Sequence, residues 1–312
     1  MLPNSDRSSR VVGVDIGGTK IAAGYIDDAG EPVLLGTAAT TPYDGVANAR
    51  TVERLIDDPR VKDASVLGVS VATTFESDGS LRDPRGWFGW KGEILSEVLT
   101  RPNRQALVFA DAAAGAVGEF AHGAGGQYDH LLYVTVGTGV SHSFVLNGVP
   151  LSGARNAAYF SGYTPQARCS RDRCDFPHVE SICSGPGLAR AYAGSDARDA
   201  RPVIEAAAAG DSRALDIIDH AAWHLGAVIA TMVSMYDPAG VIIGGGLGTG
   251  ASDYRNQAIE VARSLVTTSH GKSVPMVPAS LGAMSCWVGA IEMATMTASS
   301  RLDIGRPTPV VV

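Results

Sequence analysis

VVGVDIGGTKIAAGYIDDAGEPVLLGTA, residues 11–38, contains three short apolar runs separated by Gly-Gly-Thr and by Asp-Asp-Ala-Gly. Runs this short, divided by turn residues, read as the strands of an antiparallel meander. The pattern then changes. Periodicity predicts a helix over Val46–Ile56, a buried strand over Val66–Val71 and a helix near Ile94–Leu99. A strand over Ala106–Ala110 follows, then a helix starting at Asp111. A meander followed by alternating helix and strand forms one α/β unit.

The same order restarts at LLYVTVGTGVSHSFVLNG, residues 131–148, where Asn147-Gly148 is a strong hairpin signal. Val14 and Val134 align with an offset of 134 − 14 = 120 residues, about one domain length. A duplicated pair of meander-plus-helix domains with a nucleotide between them is therefore expected. The second copy continues through a long amphipathic helix, Ser212–Tyr236, with Leu215, Ile218, Leu225, Ile229 and Met232 on one face and Asp237-Pro238 as its stop. A strand over Val241–Ile243 runs into Gly244-Gly245-Gly246, and a last helix lies near Met284–Met296. The expected division is a smaller N-terminal lobe over 1–120, with the C-terminal helix packing back on it, and a larger lobe over 121–312.

Composition narrows the function. In 312 residues, 45% are hydrophobic, enough for sizeable cores. A net charge of −7 with no basic run argues against nucleic acid or a membrane surface as partner. The sequence has no apolar stretch of about 18 residues and no hydrophobic segment in MLPNSDRSSR, so a cytoplasmic protein is expected. Four cysteines fit a reducing compartment, although Cys169, Cys174 and Cys183 fall within fifteen residues.

Asp15-Ile16-Gly17-Gly18-Thr19-Lys20 makes a tight turn in which bare backbone amides can approach an anion and the threonine adds a donor. An isolated turn of this kind is often nothing more. Here the second repeat has a counterpart, Thr135-Val136-Gly137-Thr138-Gly139, and two such hairpins can hold a polyphosphate from opposite sides. Gly244, Gly245 and Gly246 at the end of a buried strand offer bare backbone to a nucleotide. Neither a P-loop nor a dinucleotide fingerprint is present. Asp111, where a strand passes into a helix, can cap that helix or serve as general base to an attacking hydroxyl.

Together these segments resemble the ROK family of repressors, open reading frames and kinases, over nearly the whole chain. VDIGGTKIAAGYID resembles the first phosphate motif and LLYVTVGTGV the second. ADAAAGAVGE resembles the segment carrying the catalytic aspartate, VESICSG the end of the cysteine-rich motif and VIIGGGL the adenosine motif. The resemblance implies a two-lobed actin/hexokinase-like (ribonuclease H-like) α/β fold, MgATP, lobe closure around the substrate and often a homodimer. It makes Asp111 the catalytic base and has Asp15 hold Mg²⁺ through water. Only ten residues precede Val11, so the DNA-binding branch of the family is not expected.

The departures concern sugar and zinc. Ala110 stands where the family has asparagine, and Phe160 and Tyr163 replace a glutamate and a histidine that contact sugar hydroxyls. Glu180 matches the last sugar-binding glutamate. Ala72-Thr73 replaces a Pro-Gly turn, and GVSHS introduces His142. His142 can be a substrate contact or an ordinary surface strand residue. Thr73, Arg85, Arg155 and Asn156 complete the candidate substrate contacts. The zinc motif is broken: Cys169, Cys174 and His178 can form most of a tetrahedral Zn²⁺ site, but a fourth ligand is not evident. The expected reaction is in-line phosphoryl transfer to the exocyclic hydroxyl of a modified hexose or cyclitol, such as kanosamine or a C7-cyclitol, of the kind that serves antibiotic pathways. The alternatives are an ordinary hexose kinase and a catalytically silent sensor.

Overall fold

The computed structural model describes residues 11–75, 81–82, 88–90, 95–154, 157–165 and 178–299. The first meander is β1 (Val11–Ile16), β2 (Lys20–Ile26) and β3 (Pro32–Ala39), followed by α1 (Gly45–Ile56) and β4 (Val66–Val71). The two-residue strands β5 (Thr74–Phe75) and β6 (Leu81–Arg82) precede α2 (Leu95–Leu99), β7 (Gln105–Ala110) and α3 (Asp111–His122). The second meander is β8 (His130–Val136), β9 (Val140–Leu146) and β10 (Val149–Pro150). It leads to α4 (Val179–Cys183), α5 (Gly185–Ala193), α6 (Arg201–Ala208) and α7 (Ser212–Tyr236). The rest is β11 (Gly240–Gly244), α8 (Gly245–Gly250), α9 (Ser252–Leu265), α10 (Ser269–Ser273), β12 (Met276–Pro278) and α11 (Ser285–Ala298). Two compact units result, one from residues 1–123, 148–158 and 284–312, the other from 124–147 and 159–283.

In the first unit the sheet order is β3-β2-β1-β4-β7. β1 runs antiparallel to β2 and parallel to β4, and β4 runs parallel to β7. The register pairs Ile16 with Val71 and Val71 with Ala110, so the carboxyl ends of the three parallel strands are level. VVGVDI and VLGVSV are almost wholly buried, as parallel strands covered on both faces must be. α1 starts where the Asp44 carboxylate accepts the Ala47 N–H at 2.8 Å and buries Ala49, Val52 and Ile56. α11 crosses α3 at a bare-backbone contact, since a Cβ on Gly289 would overlap the Ala114 carbonyl oxygen. That contact sets the first turn of α11 beneath the start of α3.

The second unit repeats the order β9-β8-β11-β12 with the same directions, β8 antiparallel to β9 and parallel to β11, and β11 parallel to β12. Asn147 and Gly148 take φ of 50° and 83°, the positive values that a two-residue hairpin turn of this type requires. α7 has the predicted bounds, is N-capped by Asp211 and ends on Asp237 in the left-handed region at φ 45°. One residue of its predicted apolar face is corrected: Leu215 is 43% exposed, because the buried stripe runs through Ala214, Ile218, Ala221, Ala222, Leu225 and Ile229, and Leu215 falls off it. Among the described residues α7 alone is long and apolar enough to cross a bilayer, yet 67% of its most apolar window is buried, as expected of a core helix.

Candidate active site

The first unit gathers carboxylates at the carboxyl edge of its sheet. Asp15 is the penultimate residue of β1 and Asp111 the first residue beyond β7, two strands away, a lateral separation of about 10 Å at ordinary strand spacing. Asp15 is half-buried, and the Ser70 hydroxyl, its partner across the β1–β4 ladder, donates to its Oδ1 at 2.5 Å. Burial pushes the Asp15 carboxyl up to about 6, against the opposing effects of the Ser70 hydrogen bond and of nearby Lys20. Asp111 is not the cap of α3. That position belongs to Ala110, and the Asp111 Oδ1 accepts the Ala112 N–H at 2.8 Å within the first turn.

Under these two acids lies the first turn of α11. The Cys286 thiol approaches the Asp111 carbonyl oxygen at 3.6 Å. Burial drives it well above its ordinary value, and the charges of Asp15, Asp111 and Glu119 add to the effect. Glu119 is itself buried, with the Ser285 hydroxyl donating to Oε1 at 2.7 Å. The turn over Gly17-Gly18-Thr19 is closed by Gly17 N–H to the Lys20 carbonyl at 2.9 Å and braced by the Thr40 hydroxyl on the Gly17 carbonyl at 2.7 Å. Gly17 and Gly18 are half-buried, while Thr19 and Lys20 are exposed.

The second unit gathers backbone instead. Its turn is closed by Gly137 N–H to the Gly139 carbonyl at 2.9 Å, and Gly185 N–H donates to the Gly137 carbonyl at 2.8 Å. Thr135 pairs with Gly244 across the β8–β11 ladder, which sets Gly245 and Gly246 beside this turn. Gly245 has φ 80° and packs where a Cβ would overlap the Val136 backbone, while a Cβ on Gly137 would lie 3.3 Å from the Gly246 nitrogen. Glu180, in the first turn of α4, accepts the Val140 N–H at 3.0 Å, and its Oε2 would be 2.6 Å from a Cβ on Gly139. Thr138 is exposed at the tip.

Phe160 and Tyr163 pack edge to face at 5.7 Å, and the Tyr163 ring lies 5.9 Å from that of His178, whose Nδ1 is buried with no hydrogen-bond partner among the described residues. His142 is no surface residue. It is 8% exposed, with its ring 5.9 Å from that of Tyr236, which in turn stacks on Phe144 at 5.0 Å, and burial lowers its tendency to protonate. Thr73 lies in the bend after β4 in the first unit, with its N–H on the Val71 carbonyl at 2.9 Å. Arg85, Arg155, Asn156, Cys169 and Cys174 lie outside the described residues. Among the described residues no group of three or more His, Cys, Asp or Glu is placed to hold a metal ion. Sequence reading passed over Ser70 and Cys286. The only trace of the first is a lone hydroxyl in the apolar strand VLGVSV.

Hard oxygen donors suit Mg²⁺, and the half-buried Asp15 carboxylate beside a bare glycine turn fits that preference. A family profile described as ROK family matches residues 11–297. A glucokinase of Halalkalibacterium halodurans is 28% identical over 267 residues, covering 76% of this chain and 80% of that protein. A kanosamine kinase of Amycolatopsis mediterranei is 26% identical over 310 residues, covering 93% of this chain and 98% of that protein. The crystal structure of a ROK family glucokinase from Streptomyces griseus in complex with glucose and AMPPNP superposes with a TM-score of 0.75 at 25% identity, covering 92% of this chain and 99% of that one.

Proposed function

We propose that this chain, which belongs to the ROK family and is a sugar phosphotransferase, moves the γ-phosphoryl group of ATP to the exocyclic primary hydroxyl of a modified hexose or hexose-like cyclitol. The observation that carries this reading is the pair of carboxylates, Asp15 and Asp111, on the level carboxyl edge of one sheet. Asp111 takes the proton of the attacking hydroxyl as its oxygen bonds to the γ-phosphorus and the bond to the β-phosphate oxygen breaks, leaving ADP. Asp15 would hold Mg²⁺, which would supply positive charge against the phosphates. Gly17, Gly18, Thr19 and Lys20, with Thr135, Gly137, Thr138 and Gly139, serve the phosphates, and Gly244, Gly245 and Gly246 serve the adenosine end.

Glu180 keeps the reacting end of the sugar in place, while Phe160 and Tyr163 present an aromatic pair where the family binds sugar hydroxyls. A sugar hydroxyl that loses its partner costs on the order of 1–3 kcal/mol, so glucose is a poor fit. The similarity to a kanosamine kinase over almost the full length of both chains supports an amino sugar. Similarity to glucokinases supports the rival reading, a plain glucose kinase. ATP-dependent phosphorylation of a panel containing glucose, kanosamine and C7-cyclitols, followed by mass spectrometry, separates the two. A higher kcat/KM for an amino sugar or cyclitol supports the proposal, and a kcat/KM for glucose at or above all others removes it.

A further inference from the structure

Ser70 is fully buried in β4 between the apolar residues Val69 and Val71, where a hydroxyl is costly unless it is hydrogen-bonded. Its partner is the Asp15 carboxylate, directly across the parallel ladder. The terminal torsion of an aspartate is broad and roughly two-fold, so a carboxylate at a strand end has no fixed orientation unless a neighbour sets it. Ser70 supplies that constraint at 2.5 Å. The half-buried Cys286 thiol approaches the Asp111 carbonyl oxygen at 3.6 Å. Asp15 and the buried Ser70 thus form a hydrogen-bonded pair at the sheet edge, and the half-buried Cys286 stands against the first residue of α3.

We propose that Ser70 is a positioning residue for phosphoryl transfer, fixing the orientation of the Asp15 carboxylate. The inference rests on the reading that Asp15 serves Mg²⁺. Loss of a hydrogen-bond partner that orients a metal-holding carboxylate costs about tenfold or more in metal affinity. The probe is ADP, titrated by calorimetry with and without Mg²⁺ into the full chain and into Ser70→Ala, Ser70→Cys and Asp15→Asn. The factor by which Mg²⁺ tightens ADP should fall about tenfold in Ser70→Ala, with Mg²⁺-free ADP affinity unchanged, and less in Ser70→Cys, which keeps a weak donor of similar size. Simple loss of packing would instead weaken both titrations alike and overturn the proposal. Full retention of the Mg²⁺ effect in Ser70→Ala, with its loss in Asp15→Asn, overturns the role of Ser70 while leaving that of Asp15. Retention in both variants removes the Asp15 reading, and the inference with it.

Discussion

The two meanders share strand order and direction but differ in what they carry at the equivalent edge. In the first unit β1 carries Asp15 as its penultimate residue, just before Gly17-Gly18, with Asp111 and the buried Glu119 nearby. In the second, β8 has Thr135 where β1 has Asp15, and the turn is surrounded by Gly185, Gly245 and Gly246, with Glu180 accepting the Val140 N–H. On the proposed reading, one scaffold supplies proton and cation chemistry in one copy and bare amides with sugar recognition in the other. The difference lies in single residues at strand ends, where side chains leave the apolar layer without disturbing it.

The sharpest way to break this division is Asp111→Asn, which removes the proposed proton acceptor and leaves the shape. It should lower kcat by about 10²- to 10⁴-fold, the usual range for a positioned base, with ATP affinity near the parent value. Turnover close to the parent in a folded variant would return Asp111 to a helix-end role.

Asp15→Asn tests the cost of holding a carboxylate there. The folded value of about 6 lies above the ordinary 3.8, so the fold disfavours the charged form. The penalty is absent below about pH 4, grows as pH rises, and is complete above about pH 6, where it amounts to at most about 3 kcal/mol. The variant should therefore melt higher than the parent at pH 8 without ligand, with the gain vanishing near pH 4. An equal melting temperature at pH 8 would contradict the strained carboxylate.

Glu180→Ala sharpens the comparison from the other side. Losing a charged acceptor should raise the sugar KM about tenfold, with a smaller change in kcat. A fall in kcat as large as that of Asp111→Asn at constant KM would end the division of labour.

Much of this was legible in sequence because it is local. The glycine turns, the strand edges at Val66–Val71, the bounds of α7 and the Asn147-Gly148 hairpin follow from residue type and period, and the mixed α/β fold with a repeated meander holds. What stayed hidden depends on long-range register. Ser70 meets Asp15 only because β4 pairs with β1 in parallel across 55 residues, and Cys286 meets Asp111 across 175. His142 gives no periodic sign that Tyr236, at the end of a distant helix, will cover it. Spacing places Leu215 with the apolar face, although it is exposed, because spacing marks a stripe but not its edge.

The central claim is that the first unit keeps its chemistry while the second has altered recognition. Steady-state kcat/KM for glucose, kanosamine and C7-cyclitols, with Asp111→Asn as the control, tests it most directly. The account predicts ATP-dependent phosphorylation that Asp111→Asn suppresses, with an amino sugar or cyclitol ahead of glucose. Glucose equal to or ahead of every other acceptor, or phosphorylation that survives in Asp111→Asn, would contradict it.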